Sequence, residues 1–160
     1  AQQQNFKLGI KLVRGAYMEK ERNRANQQSY LDPIQPSKEA TDKDYDAAVM
    51  YCLKNLNDIS TIIASHNEQS NLLAFDYMQT HNIPMNHAHI HFSQLYGMSD
   101  HISFNLAKFK CNVSKYLPFG PIKDVVPYLM RRAQENSSVS GQTGRELALI
   151  KRELIRRKKG

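Results

Sequence analysis

The feature that most constrains the fold of this chain is a strand-and-helix pattern that occurs four times. Short β-prone runs lie at residues 6–13, 60–64, 88–92 and 111–116, and helix-favouring segments separate them. No hairpin signal joins two of these runs. The alternation predicts an α/β fold with a parallel sheet covered by helices. Four such units suit a doubly wound sheet or half of an eight-unit barrel, and the hydrophobic pattern leaves both open.

Caps and prolines delimit several helices. Ser37 can cap a long helix that runs to about Leu56, and a further helix should span residues 68–80. Pro127 should interrupt or restart the helix around it, because proline removes a backbone donor. In the helix after Ser37, the side chains expected to face inward are those of Ala47, Ala48, Tyr51 and Cys52.

Basic charge is concentrated at the end of the chain. The formal net charge is +7, and residues 142–160 carry seven basic and two acidic side chains, a net of +5. The body therefore needs no nucleic acid as a partner. We divide the chain into a barrel portion, residues 1–140, and a basic amphipathic helix, residues 141–160, with Leu147, Ile150, Leu154 and Ile155 on its apolar side. Such a helix can pack on its own domain or lie on an anionic membrane surface.

The cysteines and the start of the chain bear on its cellular setting. Cys52 and Cys111 have no metal-type neighbours and are expected to be free thiols in a reducing compartment. No apolar run reaches transmembrane length, and residues 1–5 lack the blocks of a signal peptide. Because the chain starts at Ala1 rather than Met, and a strand follows almost at once, we expect it to be a piece of a longer protein.

Polar or small residues follow each β-prone run, where a (β/α) barrel has its active-site rim. These sets are residues 14–17, 65–67, 93–94, and 116 with 118. His66 could hydrogen-bond the phosphates or ring of a cofactor, or could be structural. The alternating His87, His89 and His91 raise the question of a metal, but no carboxylate or cysteine ligand accompanies them, so we predict no metal site.

A stripe of polar side chains marks the helix after residue 121. Tyr128, Arg131, Arg132 and Glu135 fall at i, i+3, i+4 and i+7, and so share one face. Adjacent arginines can bind a small carboxylate bidentately, and the ring of a tyrosine one turn earlier could form one wall of the ligand site. A solvated basic helix face would show the same pattern. The chain has no dinucleotide-binding glycine motif, P-loop or nucleophile elbow.

Five segments resemble, in the same order, the signature blocks of the proline dehydrogenase family. Their sequences are most similar to those of its eukaryotic mitochondrial branch. They are KLVRGAY (11–17), ASHN (64–67), QLYGM (94–98), YLPFG (116–120) and YLMRRAQEN (128–136). The resemblance implies the C-terminal half of a distorted (β/α)8 TIM barrel, strands five to eight. It also implies FAD-dependent oxidation of L-proline to Δ1-pyrroline-5-carboxylate by hydride transfer to flavin N5. Electrons would pass to a quinone in this first step of proline catabolism, on the matrix side of the inner mitochondrial membrane.

The resemblance also assigns residues to three sets. The catalytic set is Lys11, Tyr17 and Tyr116. The substrate-binding set is Leu12, Tyr128, Arg131 and Arg132, the arginine pair holding the proline carboxylate. The cofactor-binding set is Arg14, Gly15, Ala16, Ser65, His66, Asn67 and Glu135. These assignments agree with the carboxylate clamp inferred from helical spacing.

Three positions depart from the family pattern. Lys11 stands where bacterial relatives place arginine. The lysine keeps the positive charge but lacks the bidentate geometry of a guanidinium. Ser65 replaces threonine, and Phe119 stands where tyrosine is common. Relatives that act on hydroxyproline carry a smaller residue at the position of Tyr116, so this tyrosine favours proline and leaves hydroxyproline dehydrogenase as the alternative.

Half a barrel raises a further alternative. Residues 6–13 would form an open edge strand, because the first four strands of the family's barrel have no counterpart here. We therefore expect the isolated chain to bind FAD poorly and to turn over little proline. An inactive fragment that needs its N-terminal half stays open, as does peripheral contact of the basic helix with the inner mitochondrial membrane.

Overall fold

The computed structural model describes residues 2–138 and 142–159, with the side chains of all but residues 2, 131, 133–138, 142–146, 149 and 159. A 3-10 turn at Gln2–Gln4 precedes four strands and six helices in these ranges. The strands are β1 (Leu8–Leu12), β2 (Ile59–Ala64), β3 (Ile90–Leu95) and β4 (Val113–Tyr116). The helices are α1 (Met18–Gln28), α2 (Lys38–Lys54), α3 (Glu68–Thr80), α4 (Asp100–Lys108), α5 (Ile122–Ser138) and α6 (Gln142–Lys159).

The strands form one parallel sheet in the order β1-β2-β3-β4. One row of paired residues runs across it, from Leu12 through Ile63 and Phe92 to Val113. Ile63 and Phe92 are fully buried in the core between the sheet and its helices, and Leu12 and Val113 pack against that core. The predicted α/β fold with a parallel sheet is confirmed, and this row defines the helix-covered face of the sheet.

Two compact units make up the chain, residues 1–116 and residues 117–160. The first holds the sheet with α1 to α4, and the second holds α5 and α6, which contact each other. The predicted boundary between residues 140 and 141 stays a prediction. In the described part of the chain, no helix combines the length and the apolar character needed to cross a membrane.

Helix α2 corrects one packing prediction. Ser37 caps it as expected, since its hydroxyl accepts a hydrogen bond from the Ala40 backbone N–H at 3.1 Å. The prediction that Ala47 and Tyr51 face inward is wrong, because both are exposed. The buried side chains are those of Tyr45, Val49, Cys52 and Leu53. Their spacing follows one helical stripe, which lies part of a turn away from the stripe predicted.

Several boundaries also differ from expectation, and β1 and β4 each begin two residues later than predicted, at Leu8 and Val113. Strand β3 begins at Ile90, two residues later than predicted, because the Ile90 N–H closes a turn onto the His87 carbonyl at 3.0 Å. It continues to Leu95, since Ser93 to Leu95 pair with β4. Pro127 lies inside α5 without ending it, so the predicted interruption is wrong. One missing N–H removes one hydrogen bond, and those before and after it maintain the helix.

Candidate active site

The curvature of the sheet brings two predicted site residues together. Lys11 lies on β1 and Tyr116 ends β4, the two outer strands. In a flat sheet, three strand spacings and a stagger of four residues would separate their Cα atoms by about 19 Å, more than the two extended side chains can span. The Lys11 Nζ atom lies 4.7 Å from the centroid of the Tyr116 ring. The sheet therefore curves as a segment of a barrel wall does.

We call the side toward which it curves the concave face, defined by Lys11, Ile62, Ser114 and Tyr116. All four side chains are exposed. Lys11 pairs with Ile62 in the register, and both alternate with the row of residues that faces the core. Leu12 belongs to that covered row and packs against the core, which favours a structural role for it. Its assignment as a substrate contact stays a prediction.

The segment after β1 leaves its backbone accessible. Gly15 has φ +72°, a conformation that favours glycine, and a Cβ added there would meet no atom within 4 Å. Tyr17 also has a positive φ, at 60°, and its side chain is 71% exposed. Space beside Gly15 allows a ligand to approach the peptide closely, with Ala16 and Tyr17 beside it.

Arg14 is engaged within the protein. Its guanidinium donates to the Asp42 carboxylate at 2.5 Å and to the Ser65 hydroxyl at 3.0 Å, and its Cζ atom lies 4.9 Å from the Tyr45 ring centroid. The side chain is 18% exposed. Burial raises the pKa of Tyr45 to about 12. The nearby positive charge of Arg14 lowers this pKa and so opposes the effect of burial. These contacts favour an indirect role for Arg14 at a cofactor site, as a support for Ser65.

Ser65 is held by four hydrogen bonds and is buried. Its hydroxyl accepts from Arg14 and from the Asn67 N–H at 3.1 Å. Its carbonyl accepts from the side-chain amides of Asn71 at 3.1 Å and Gln94 at 3.2 Å. The loop between β2 and α3 is thereby fixed to both neighbouring strands, so Ser65 supports the residues that follow it.

Those following residues are His66 and Asn67. The His66 Nδ1 atom lies 3.0 Å from the Ser99 hydroxyl oxygen. Asn67 caps α3, since its side-chain oxygen accepts from the Ser70 N–H at 3.1 Å. Of the three loop residues predicted to bind the cofactor, Ser65 and Asn67 have side chains that hydrogen-bond within the loop and to the start of α3. The assignment of all three to the cofactor stays a prediction.

The predicted carboxylate clamp falls in the second unit. Tyr128 and Arg132 share a face of α5, with the Arg132 Cζ atom 5.2 Å from the Tyr128 ring centroid. This is the i, i+4 contact that the stripe predicts. The side chains of Arg131 and Glu135 lie outside the described residues. Their assignments to the substrate carboxylate and to the cofactor stay predictions.

Several site residues were missed by reasoning from the sequence. Asp42, Asn71 and Ser99 were not singled out, and Gln94 was noted only as one of the polar residues at a strand end. Asp42, Gln94 and Ser99 each contact a partner more than 20 positions away in the sequence, and Asn71 contacts Ser65, six positions away. The one available signal was a glutamine at the end of a strand expected to be buried. A buried side-chain amide needs hydrogen-bond partners, and Gln94 is 1% exposed.

The histidines and cysteines form no metal centre in the part of the chain that the structure describes. No group of three or more histidine, cysteine or acidic side chains is close enough to hold an ion there. His87 and His89 precede β3, their ring centroids 5.6 Å apart. Burial raises the pKa of both Cys52 and Cys111 thiols, which disfavours the reactive thiolate.

A curved parallel sheet with polar residues at its strand ends defines the class of the protein, an α/β domain of the TIM-barrel type. Solved structures support this. The proline utilization A (PutA) protein from Bdellovibrio bacteriovorus, inactivated by N-propargylglycine, superimposes with a TM-score of 0.78 at 29% identity, over 87% of this chain and 14% of its own. The doubly wound alternative is set aside.

The chain belongs to the proline dehydrogenase family, whose model matches residues 1–145. The mitochondrial proline dehydrogenase 1 proteins of Homo sapiens and Dictyostelium discoideum are 43% and 41% identical over 98% of this chain, and over 27% and 28% of their own lengths. A hydroxyproline dehydrogenase of Xenopus laevis is 44% identical over 94% of this chain and 33% of its own. The chain thus spans about a third or less of these relatives. The family resemblance drawn from five segments is confirmed.

Proposed function

We propose that this chain forms the C-terminal half of the catalytic barrel of a proline dehydrogenase, which oxidises L-proline to Δ1-pyrroline-5-carboxylate. The observation that carries the proposal is the meeting of Lys11 and Tyr116 across the concave face. A cation and an aromatic ring near the carboxyl ends of the two outer strands support the proposal, because a barrel of this type binds its ligands at that end of its strands. Family membership supplies the substrate class, and the relatives' names support a mitochondrial setting.

The residues at the strand ends fit FAD as the cofactor. The exposed Lys11 ammonium gives the concave face a positive charge, which favours an anionic group there. The open backbone at Gly15 admits a planar ring or a phosphate closely, and His66 adds a polar ring beside them. When bound, FAD supplies the acceptor for a hydride from the ring carbon next to the amine.

The chain's own residues would bind and orient the substrate. Arg132, with Arg131, would hold the proline carboxylate by charge-assisted hydrogen bonds. Tyr128 would wall the bound amino acid, and Tyr17 and Tyr116 would pack on its ring and exclude water. Each of these contacts would by itself help to orient the substrate for oxidation.

A second candidate is oxidation of hydroxyproline, favoured by the relative of that name. The Tyr116 ring, 45% exposed beside Lys11, narrows the concave face. Replacing Tyr116 with serine should therefore raise the ratio of kcat/KM for hydroxyproline to that for proline. A wild-type protein that already prefers hydroxyproline would establish the second candidate instead.

The experiment that tests the function compares the 160-residue chain alone with a complete domain. In the complete domain, a segment joined to the chain or expressed with it supplies the preceding strands. We expect the chain alone to show little flavin absorbance and little proline-dependent reduction of a quinone, and the complete domain to show both. Stoichiometric flavin in the isolated chain would refute the need for the other half. Absence of proline oxidation in a folded, flavin-loaded complete domain would refute the assigned reaction.

A charge variant makes the test specific to the concave face. Lys11→Met in the complete domain should lower kcat by at least about tenfold, since a cation placed at developing charge supplies a large part of catalysis. Lys54→Met, at the end of α2, removes an equally exposed lysine distant in sequence from every predicted site residue. It should leave kcat unchanged.

We also propose that electrons leave to a quinone at the matrix side of the inner mitochondrial membrane, with α6 as a peripheral contact. Leu147, Ile150, Leu154 and Ile155 are all exposed, and the same helix carries exposed basic residues from Lys151 to Lys158. Apolar and cationic groups on one helix suit an anionic lipid surface. Deleting residues 142–160 should abolish binding to anionic vesicles. Unchanged binding would assign α6 to packing within its own domain.

A further inference from the structure

A glutamine occupies a core position on β3. Gln94 lies two residues after Phe92 on this strand, so both side chains point to the helix-covered face of the sheet. Phe92 is fully buried, and Gln94 is 1% exposed. Burying a side-chain amide costs free energy unless hydrogen bonds replace its contacts with water, and an apolar side chain would fill this position without that requirement. An amide at this position therefore indicates a role other than packing.

The hydrogen bonds of Gln94 fix its orientation. Its Oε1 atom accepts from the Ser103 hydroxyl of α4 at 2.9 Å. Its Nε2 atom donates to the Ser65 carbonyl at 3.2 Å and to Asn71 Oδ1 on α3 at 3.4 Å. Because a backbone carbonyl only accepts hydrogen bonds, the nitrogen of the amide must face Ser65. Both polar atoms of this side chain are therefore used inside the protein, next to the loop that follows β2.

Asn71 makes a second connection to that loop. Its Nδ2 atom donates to the carbonyls of Ser65 at 3.1 Å and Asn67 at 2.7 Å. Asn71 is 2% exposed, so this amide is buried as well. Two buried amides thus hold two carbonyls of loop 65–67, one from β3 and one from α3. A buried polar network whose members are paired rigidifies the backbone that it contacts.

We propose that Gln94 is a positioning residue, which holds loop 65–67 in the conformation that binds the flavin nucleotide. The inference rests on the proposed function, in which this loop contributes to the cofactor site. Gln94 reaches the loop through the Ser65 carbonyl, so it acts on the cofactor through the backbone. Without the Gln94 amide, the loop would have more conformational freedom to lose when FAD binds, and its affinity for FAD would fall.

The chain offers a matched control at the amino end of β3. The Asn112 side-chain amide donates to the carbonyls of His87 at 2.9 Å and Ile90 at 3.1 Å. Gln94→Met and Asn112→Leu each replace an amide that binds backbone carbonyls with an apolar side chain of similar size. Both should lower Tm, because each removes internal hydrogen bonds. Only Gln94→Met should weaken FAD binding, by about three- to tenfold for one hydrogen bond lost at the loop.

A second variant tests the direction of the hydrogen bond to Ser65. Gln94→Glu keeps an acceptor for Ser103 but, when ionised, places a negative oxygen against the Ser65 carbonyl. Burial raises the pKa of a carboxyl group, and the protonated form can donate to a carbonyl. The FAD affinity of Gln94→Glu, relative to wild type, should therefore be lowest near about pH 8 and recover in part toward about pH 6. Gln94→Met introduces no titratable group, so its ratio to wild type should stay constant over this range.

The experiment uses the complete domain described above, prepared without FAD. Unfolding is followed by circular dichroism to obtain Tm for each variant. FAD binding is then titrated by flavin fluorescence at both pH values, at a temperature well below every Tm, so that loss of folded protein does not lower the measured affinity. We expect weakened binding in both Gln94 variants, recovery at the lower pH in Gln94→Glu alone, and wild-type binding in Asn112→Leu.

The outcomes separate the inference from the proposed function. Equal FAD affinity in Gln94→Met and wild type would overturn the role of Gln94 and leave the proposed function standing. Equal losses of affinity in Gln94→Met and Asn112→Leu would show a general structural effect and would also overturn it. If Gln94→Met did not fold, the comparison of Gln94→Glu at the two pH values would decide, and a ratio to wild type that did not change with pH would overturn the inference. If the folded wild-type domain bound no FAD at all, the proposed function would fail, and the inference with it.

Discussion

The ion pair between Arg14 and Asp42 should contribute far more to stability than an ordinary surface pair. Its shortest N–O distance is 2.5 Å, and the side chains are 18% and 24% exposed. Exposed pairs contribute about 0.2–1 kcal/mol, whereas loss of one partner from a fully buried pair costs about 3–5 kcal/mol. Because the pair of Arg14 and Asp42 is partly buried, its contribution to stability should lie between these two ranges. We expect a coupling energy of about 2 kcal/mol for Arg14 and Asp42.

A double-mutant cycle measures that coupling. Arg14→Gln, Asp42→Asn and the double variant are unfolded in urea at neutral pH, and the coupling is the non-additive part of the free energies of unfolding. The contact of Lys38 with Asp42 cancels to first order, because the cycle isolates the Arg14 interaction.

The pair of Arg22 and Asp32 is the control. Its N–O distance is 3.4 Å, and its side chains are 43% and 47% exposed. Its coupling should stay below about 0.5 kcal/mol. If the two cycles gave equal couplings, the reasoning that Arg14 is an internal support for Ser65 would be wrong.

Two further predictions concern the core. Phe92→Ala should lower the free energy of unfolding by about 3–5 kcal/mol, since Phe92 is fully buried. Phe104→Ala should lower it by less than about 1 kcal/mol, because that ring is 70% exposed. If urea unfolding gave comparable losses for the two variants, the assigned core would be wrong. Because the pKa of Tyr45 rises from 10.0 to about 12 in the folded state, that state binds more protons between these values, so stability should fall as pH rises through this window. Tyr45→Phe should flatten that part of the stability profile, and an unchanged slope would show that Tyr45 is not the group responsible.

Local patterns in the sequence were enough to predict most of the secondary structure. Helix α3 has the bounds predicted, because a capping residue at its start and loop residues after its end mark them within a few positions. The direction of the strands followed from the alternation with helices. The prediction of the buried face of α2 failed, since alanine is compatible with either side of a helix and packing against α3 and the sheet decides which side is buried.

The candidate site was less accessible from the sequence. Rim positions such as Lys11 and His66 could be found because they follow strands and match family segments. Their roles depend on contacts between distant elements. Ser65 was predicted to touch the cofactor because its hydroxyl resembles that of the family's threonine, yet that hydroxyl already accepts two hydrogen bonds from Arg14 and Asn67. A sequence names the donors and acceptors, and only the fold determines which of them meet.

The open side of the sheet links stability to function. Leu8 on β1 is 43% exposed, Val13 just after β1 is 51% exposed, and Ile62 on β2 is 36% exposed. Added strands that pair with β1 would bury such side chains, each worth up to about 1.5–3 kcal/mol when fully covered. The same strands would complete the wall around Lys11 and Tyr116. Because a ligand stabilises only the form that binds it, FAD should raise Tm in the complete domain and leave Tm of the 160-residue chain unchanged. We therefore expect closure of the barrel to complete the core and to be required for FAD binding.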